Sequence, residues 1–188
     1  MIWKISILLD FILYIVYMMD KGLITIVDEN DNILWYKKRW TLEHWKDIYR
    51  ISGLWLENSR WEVLIAQRAY SKKNQWWKRW PAAAWTVEKW ETYESNILKE
   101  SQEEIWLELK DYEIGVKEFV HAKENNNRKY FCQRFIAQSD KKVEELEIQK
   151  EEVEKIMRIS KQDLINWIEQ KPEDFVVGAI HYIDLFCC

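Results

Sequence analysis

Apolar and polar residues alternate across Leu23-Ile-Thr-Ile-Val27, and the Asp/Asn cluster Asp28–Asn32 then interrupts them. This pattern predicts a strand and a turn, with Ile33–Tyr36 as the hairpin partner. Ile48–Leu56 reads as a long strand, Glu57–Trp61 as a turn and Glu62–Arg68 as the return strand. Lys37–Asp47 and Ser71–Gln75 are polar and irregular, and Ala82–Val87 is a short apolar stretch after Pro81. Thr92 has the chemistry of a helix N-cap, and Glu94 in the first turn complements the helix dipole. A helix is therefore predicted over Tyr93–Ile105, with Tyr93, Ile97, Leu98, Ser101 and Ile105 on one face. Val116–Val120 and Tyr130–Ala137 read as strands joined by the polar loop Lys123–Lys129. Lys141–Lys155 is charge-rich, which predicts a solvated loop and strand edge. A short strand, Ile156–Ile159, precedes Ser160, the N-cap of a helix over Lys161–Gln170 that stops before Pro172. A last helix is expected over Phe175–Phe186. Strands, helix, strands, helix make an α+β domain.

Before this body, Ile5–Met19 is an apolar run broken by Asp10. It falls short of the roughly 20 apolar residues a membrane span needs, and no small-residue cleavage site follows it. Residues 1–18 are thus expected to be an apolar extension. They are read as an over-extended frame whose true start is Met18 or Met19, with a membrane-associating segment or a core helix as the alternatives. The domain proper is expected over 20–186.

Composition narrows the function. The 188 residues are 48% hydrophobic and 32% charged, which excludes wholesale disorder. With 28 Lys+Arg against 32 Asp+Glu, the net charge is −4, and no nucleic-acid polymer is expected as partner. Three cysteines with no CxxC exclude a disulfide framework and a zinc ribbon and fit a reducing cytoplasm. One count is abnormal: Gly is 4 and Trp is 13, where average usage predicts about 13 glycines.

Glu100, Glu103 and Glu104 lie at i, i+3 and i+4 of the predicted helix, on an arc bordering its apolar stripe. Carboxylates gathered in this way repel one another and call for a cation, and an oxygen-rich set prefers Mg²⁺ or Mn²⁺ completed by substrate phosphate. The alternative is an acidic solvated face.

The segment Trp85–Leu107 resembles the Nudix box, G-x5-E-x7-R-E-U-x-E-E-x-G-U with U aliphatic. Glu91, Glu100, Glu103, Glu104 and Leu107 match; Lys99 stands for Arg and Ser101 for U; Trp85 and Trp106 stand at the two glycines, and Trp90 at a frequent third. A β-carbon penalises the conformations box glycines allow. Trp61 sits at a hairpin turn, and Trp35 and Trp40 at turn-like or strand-end positions; Trp45 and one of Trp76 and Trp77, taken as Trp77, join them on weaker grounds, whereas Trp55, Trp80 and Trp167 sit in apolar contexts. Eight such tryptophans added to the four glycines approach the ordinary glycine count. The expectation is that a codon meaning glycine in the source, UGA, has been rendered as tryptophan.

The resemblance runs from about Gly22 to Phe186 and is similar to the branch close to type 1 isopentenyl-diphosphate isomerase. It implies a Nudix-type α/β/α sandwich with a mixed sheet and a catalytic loop–helix–loop. It implies a hydrolase that splits the diphosphate of a nucleoside diphosphate linked to another moiety. Glu100, Glu103 and Glu104 would bind Mg²⁺ or Mn²⁺ and carry catalysis, Glu103, Glu151 or Glu152 would be the base, and Glu91 and Lys99 would brace the box loop. The implied partner is a small nucleotide-derived diphosphate, with no membrane and with room for a homodimer. The alternatives are an inactive binding module and the isomerase itself. The isomerase needs a cysteine after the tryptophan at 80, where Pro81-Ala-Ala-Ala follows, and metal-binding histidines. His44, His121 and His181 are isolated and read as surface or packing residues.

Overall fold

The computed structural model describes residues 22–72, 75–81, 83–123 and 127–176. The apolar extension 1–18 lies outside them, as does all but the start of the helix expected over 175–186. At that start, Phe175 makes an extended bridge to Arg79 rather than a helical turn.

Strand β1 (Leu23–Val27) pairs antiparallel with β2 (Ile33–Lys38). Their turn is built by Asp28, whose carboxylate accepts from the backbone N–H of Asn30 (2.8 Å) and Asn32 (2.9 Å). Asp31 takes the left-handed position there at φ 65°, as Asp and Asn tolerate. β3 (Ile48–Glu57) and β4 (Glu62–Arg68) follow, joined by a tight turn; they pair only where Glu57 meets Val63, then diverge to different partners, so the return strand read from the sequence does not run back along β3. Here Asn58 accepts from the backbone of Arg60 (3.0 Å) and Glu62 (2.9 Å), and Trp61 is left-handed at φ 61°.

β5 (Arg79–Pro81) adds to β4, and β6 (Ala83–Thr86) adds to β3. After helix α1 (Tyr93–Ile105), β7 (Tyr112–Ala122) and β8 (Arg128–Gln138) form a long hairpin. β8 then lies parallel to β3 along its whole length, Ile48–Glu57 against Lys129–Gln138. β9 (Val153–Ser160) closes on β4, and helix α2 (Lys161–Gln170) follows, ahead of a 3-10 turn at Pro172–Asp174. The sheet is therefore mixed. A parallel strand is covered on both faces, which explains the almost continuous burial of β3.

The alternation of β3 and β4 sorts the core into two layers. Leu54, Leu56, Leu64 and Ala66 pack with Ile97 and Ile105 of α1. Trp55, Val63 and Ile65 face the other way, onto Leu164 and Ile168 of α2. Helix, sheet and helix thus stack as the expected α/β/α sandwich.

Both helices have the bounds read from the sequence. Thr92 and Ser95 cap α1 reciprocally, and Ser160 accepts from the backbone N–H of Asp163 (3.1 Å) at α2. The charge-rich Lys141–Lys155 departs from expectation. It makes a short 3-10 turn at Val143–Glu145 and buries Leu146 against the α1 layer, with Val143 and Ile148 beside it. Three apolar residues dispersed among charges were enough to seat it.

Candidate active site

Thr86–Thr92 delivers the chain into α1, and Glu91 holds that loop together. Its carboxylate accepts from the backbone N–H of Glu88 (2.9 Å), from Asn96 (2.8 Å) and from Lys99 (2.6 Å). The expected Glu91–Lys99 ion pair is thus present. Lys99 also reaches Glu100 at 2.9 Å. Burial alone would lower the Lys99 ammonium, but its two carboxylate partners outweigh this and raise it.

At the far end of α1, Trp106 takes the left-handed cap at φ 48°, and its N–H and that of Leu107 turn back to the Ser101 carbonyl. Three more of the suspect tryptophans have positive φ: Trp61 at 61°, Trp77 at 62° and Trp90 at 74°. Trp85 does not share this feature. It lies in extended β6, buried, so bulk rather than φ is what glycine would relieve there.

Helix α1 presents Glu100, Glu103 and Glu104 to a cavity of about 650 Å³. Glu152, from the segment before β9, lines the same cavity, whereas Glu151 is exposed and outside the lining. Glu152 is held by its backbone. Its carbonyl accepts from Ala69 (3.0 Å), and its N–H donates to Gln149 (2.9 Å), whose own N–H donates to the Glu104 carbonyl (2.9 Å).

Burial is the main cause that pushes the Glu104 carboxyl up to about 7. The charges of Glu152 and Glu100 add to it, while the Trp85 indole and Arg68 oppose it. The Trp85 indole faces Glu104 without a well-formed hydrogen bond. Glu100 is raised as well, first by burial, with Glu103 and Glu91 adding to the Glu100 charge cost against Lys99. Glu103 is the exposed member.

Among the described residues, no three His, Cys, Asp or Glu side chains form a ready-made metal cage. The donor set nevertheless fits a hard divalent cation. It is all oxygen, it is partly desolvated, and its members hinder each other's ionisation.

Two cations that the sequence reading did not single out share the wall. Arg68 ends β4 and feels both Glu152 and Glu104; Lys72 pairs with Glu152. His44 and Arg128 also line the cavity, although His44 reads as a packing histidine in sequence. A cationic strand end followed by a polar loop was the only signal available for Arg68 and Lys72. Arg128 had none, because its approach depends on the β3–β8 pairing.

No family profile matches the sequence, and no curated protein matches it. Solved structures do match its fold. DR0079 from Deinococcus radiodurans superposes with a TM-score of 0.67 at 19% identity, covering 79% of this chain and 89% of that one. A MutT NUDIX hydrolase from Burkholderia pseudomallei gives 0.59 at 13% identity over 74% and 98%. The NUDIX domain of Shewanella oneidensis NrtR, complexed with ADP ribose, gives 0.57 at 13% identity over 72% and 84%. The fold is the Nudix fold.

Proposed function

We propose that this chain is a divalent-cation-dependent hydrolase that cleaves the diphosphate of a nucleotide-derived small molecule. The observation that carries the reading is the shared wall of one cavity, where Glu100, Glu103, Glu104 and Glu152 meet Arg68 and Lys72. Glu100, Glu103 and Glu104 would hold Mg²⁺ or Mn²⁺. The bound cation supplies Lewis-acid polarisation of a phosphoryl oxygen. Arg68 and Lys72 bind and orient the phosphate oxygens. Glu103 or Glu152 takes the proton from the attacking water at a carboxylate oxygen. Lys99 and Glu91 keep the loop and the first turns of α1 in register. The ADP ribose held by the NrtR domain is one member of the substrate class envisaged.

The test is a screen of nucleoside diphosphates and nucleotide sugars with Mg²⁺ or Mn²⁺. Metal-dependent release of the two phosphorylated halves is expected. Absence of cleavage across the panel, by the protein in its native sequence, would overturn the reading.

We also infer that Trp35, Trp40, Trp45, Trp61, Trp77, Trp85, Trp90 and Trp106 occupy glycine positions, through a codon read as glycine in the source. In support, Trp61, Trp77, Trp90 and Trp106 all have φ between 48° and 74°, where glycine alone is unstrained. Trp55, buried in the core, and the half-buried Trp80 and Trp167 have no positive φ; nor do Trp35, Trp40, Trp45 and Trp85, for which composition and position in the sequence carry the inference. The intact mass of the natively expressed protein decides this: a mass with 13 tryptophans ends the inference. The inactive binding module is the second reading, and the Trp85 indole facing Glu104 favours it if the tryptophans are real.

A further inference from the structure

A second group of polar side chains in the same cavity gathers around Tyr49, on β3. Tyr49 is buried, with 3% of its surface exposed, and its ring lies 6.1 Å from that of His44. The Arg128 guanidinium at the start of β8 lies beside Tyr49, and its charge and that of Arg39 both act on the phenol against the burial that raises it. Arg39 already has a partner in Glu88, at 3.4 Å. Arg128 pairs with no carboxylate among the described residues, and its Nε is buried without a hydrogen-bond partner. His44 Nδ1 is in the same condition. Burial, then the charge of Arg128, holds the His44 imidazole below its ordinary range, so it is neutral at neutral pH and offers a hydrogen bond rather than a charge. Arg128 also lies near enough to Arg68 to work with burial in lowering that guanidinium. Arg128 thus faces the repulsion of Arg68 across one cavity with a donor left unmet and no carboxylate of its own among the described residues, which is costly until an anion joins it.

We propose that Arg128, His44 and Arg39 form a second anion subsite of this cavity, and that the nucleoside attached to the diphosphate carries a further phosphate on its ribose. The proposal rests on the hydrolase reading for the diphosphate end only. A phosphate monoester brings close to two charges and three acceptor oxygens, which suits a guanidinium with a free Nε beside a neutral imidazole. Arg128 and His44 are then specificity-determining residues, outside the carboxylate machinery.

Two matched pairs of probes test it: coenzyme A with dephospho-coenzyme A, and NADP⁺ with NAD⁺. The members of each pair differ by one phosphate, and both contain a diphosphate. Titration calorimetry on the full chain is expected to find the phosphorylated member of at least one pair bound about tenfold or more tightly. Arg128→Gln should bring the two members within about twofold of each other. If that variant fails to fold, His44→Leu gives the same reading from the other side: a preference cut threefold or more supports the subsite, and an unchanged preference overturns it. Equal affinities in both pairs, a preference that survives Arg128→Gln, or no binding of any of the four compounds also overturns it. The hydrolase reading fails separately, if the binding preference stands but no diphosphate is cleaved with Mg²⁺.

Discussion

Glu104 is drawn in two directions by its surroundings. Its carboxyl titrates near 7 in the folded protein, while an unfolded chain releases that proton near pH 4.3. Between those values the folded state binds the extra proton, so this residue's contribution to stability falls as pH rises through the window, and the full cost is present above pH 7. Glu104→Gln removes the cost. In metal-free protein, the melting temperature of the variant minus that of the wild type should grow from pH 5 to pH 7 and level off beyond. A difference independent of pH would count against the burial argument. The same substitution, and Glu103→Gln, should lower turnover by about two orders of magnitude or more at saturating Mg²⁺, while circular dichroism shows the fold intact.

At the scale of elements, the two ends of α1 are where sequence and backbone disagree. Trp90 and Trp106 hold positive φ on either side of the helix, each at roughly 1–2 kcal/mol of strain. Trp85 adds bulk beside Glu104. The triple variant Trp85→Gly, Trp90→Gly, Trp106→Gly should melt at higher temperature than the literal sequence and gain metal-dependent hydrolysis. Equal rates from the two proteins would remove the basis for both the strain and the crowding arguments. The segment Lys141–Lys155 makes a different case. Leu146 is buried to 7% exposure against the α1 layer, and the segment sets Glu152 in the cavity. Leu146→Ala should cost about 2–4 kcal/mol in chemical denaturation and reduce turnover beyond what stability explains. A cost under about 0.5 kcal/mol would mean that the segment is merely a solvated loop.

For the molecule as a whole, Lys99, Lys72 and Arg68 offset only part of the charge on the carboxylate cluster, and the proposed hydrolysis draws the rest from a divalent cation, so excess chelator should abolish hydrolysis and added Mg²⁺ should restore it. Undiminished turnover in chelator would exclude a metal role. How much of this was legible from sequence follows from the range of each interaction. The α1 and α2 bounds, the Asp28 and Asn58 turns and the spacing of Glu100, Glu103 and Glu104 are local, and local periodicity and capping chemistry express them. The parallel union of β3 with β8 is not local. Nothing in the neighbourhood of Ile48 or Lys129 announces it, and the approach of Arg128 and His44 to one cavity depends on it. Leu146 was hidden because one buried leucine among charges has no period.

That parallel pair also governs how the molecule is born. Residues 48–57 must wait for 129–138, so the central contact of the sheet closes a long loop, and such closure is slow. The hairpins β1–β2 and β7–β8 are built from neighbouring segments and form first. Until β8 arrives, the apolar edge of β3 is unprotected, and this is the interval in which chains aggregate. Arg128 reaches the cavity only when that edge is covered. After dilution from denaturant, helical signal should therefore return ahead of tight ligand binding, with binding recovered in the slowest phase, and the yield of active protein should fall as chain concentration rises during refolding.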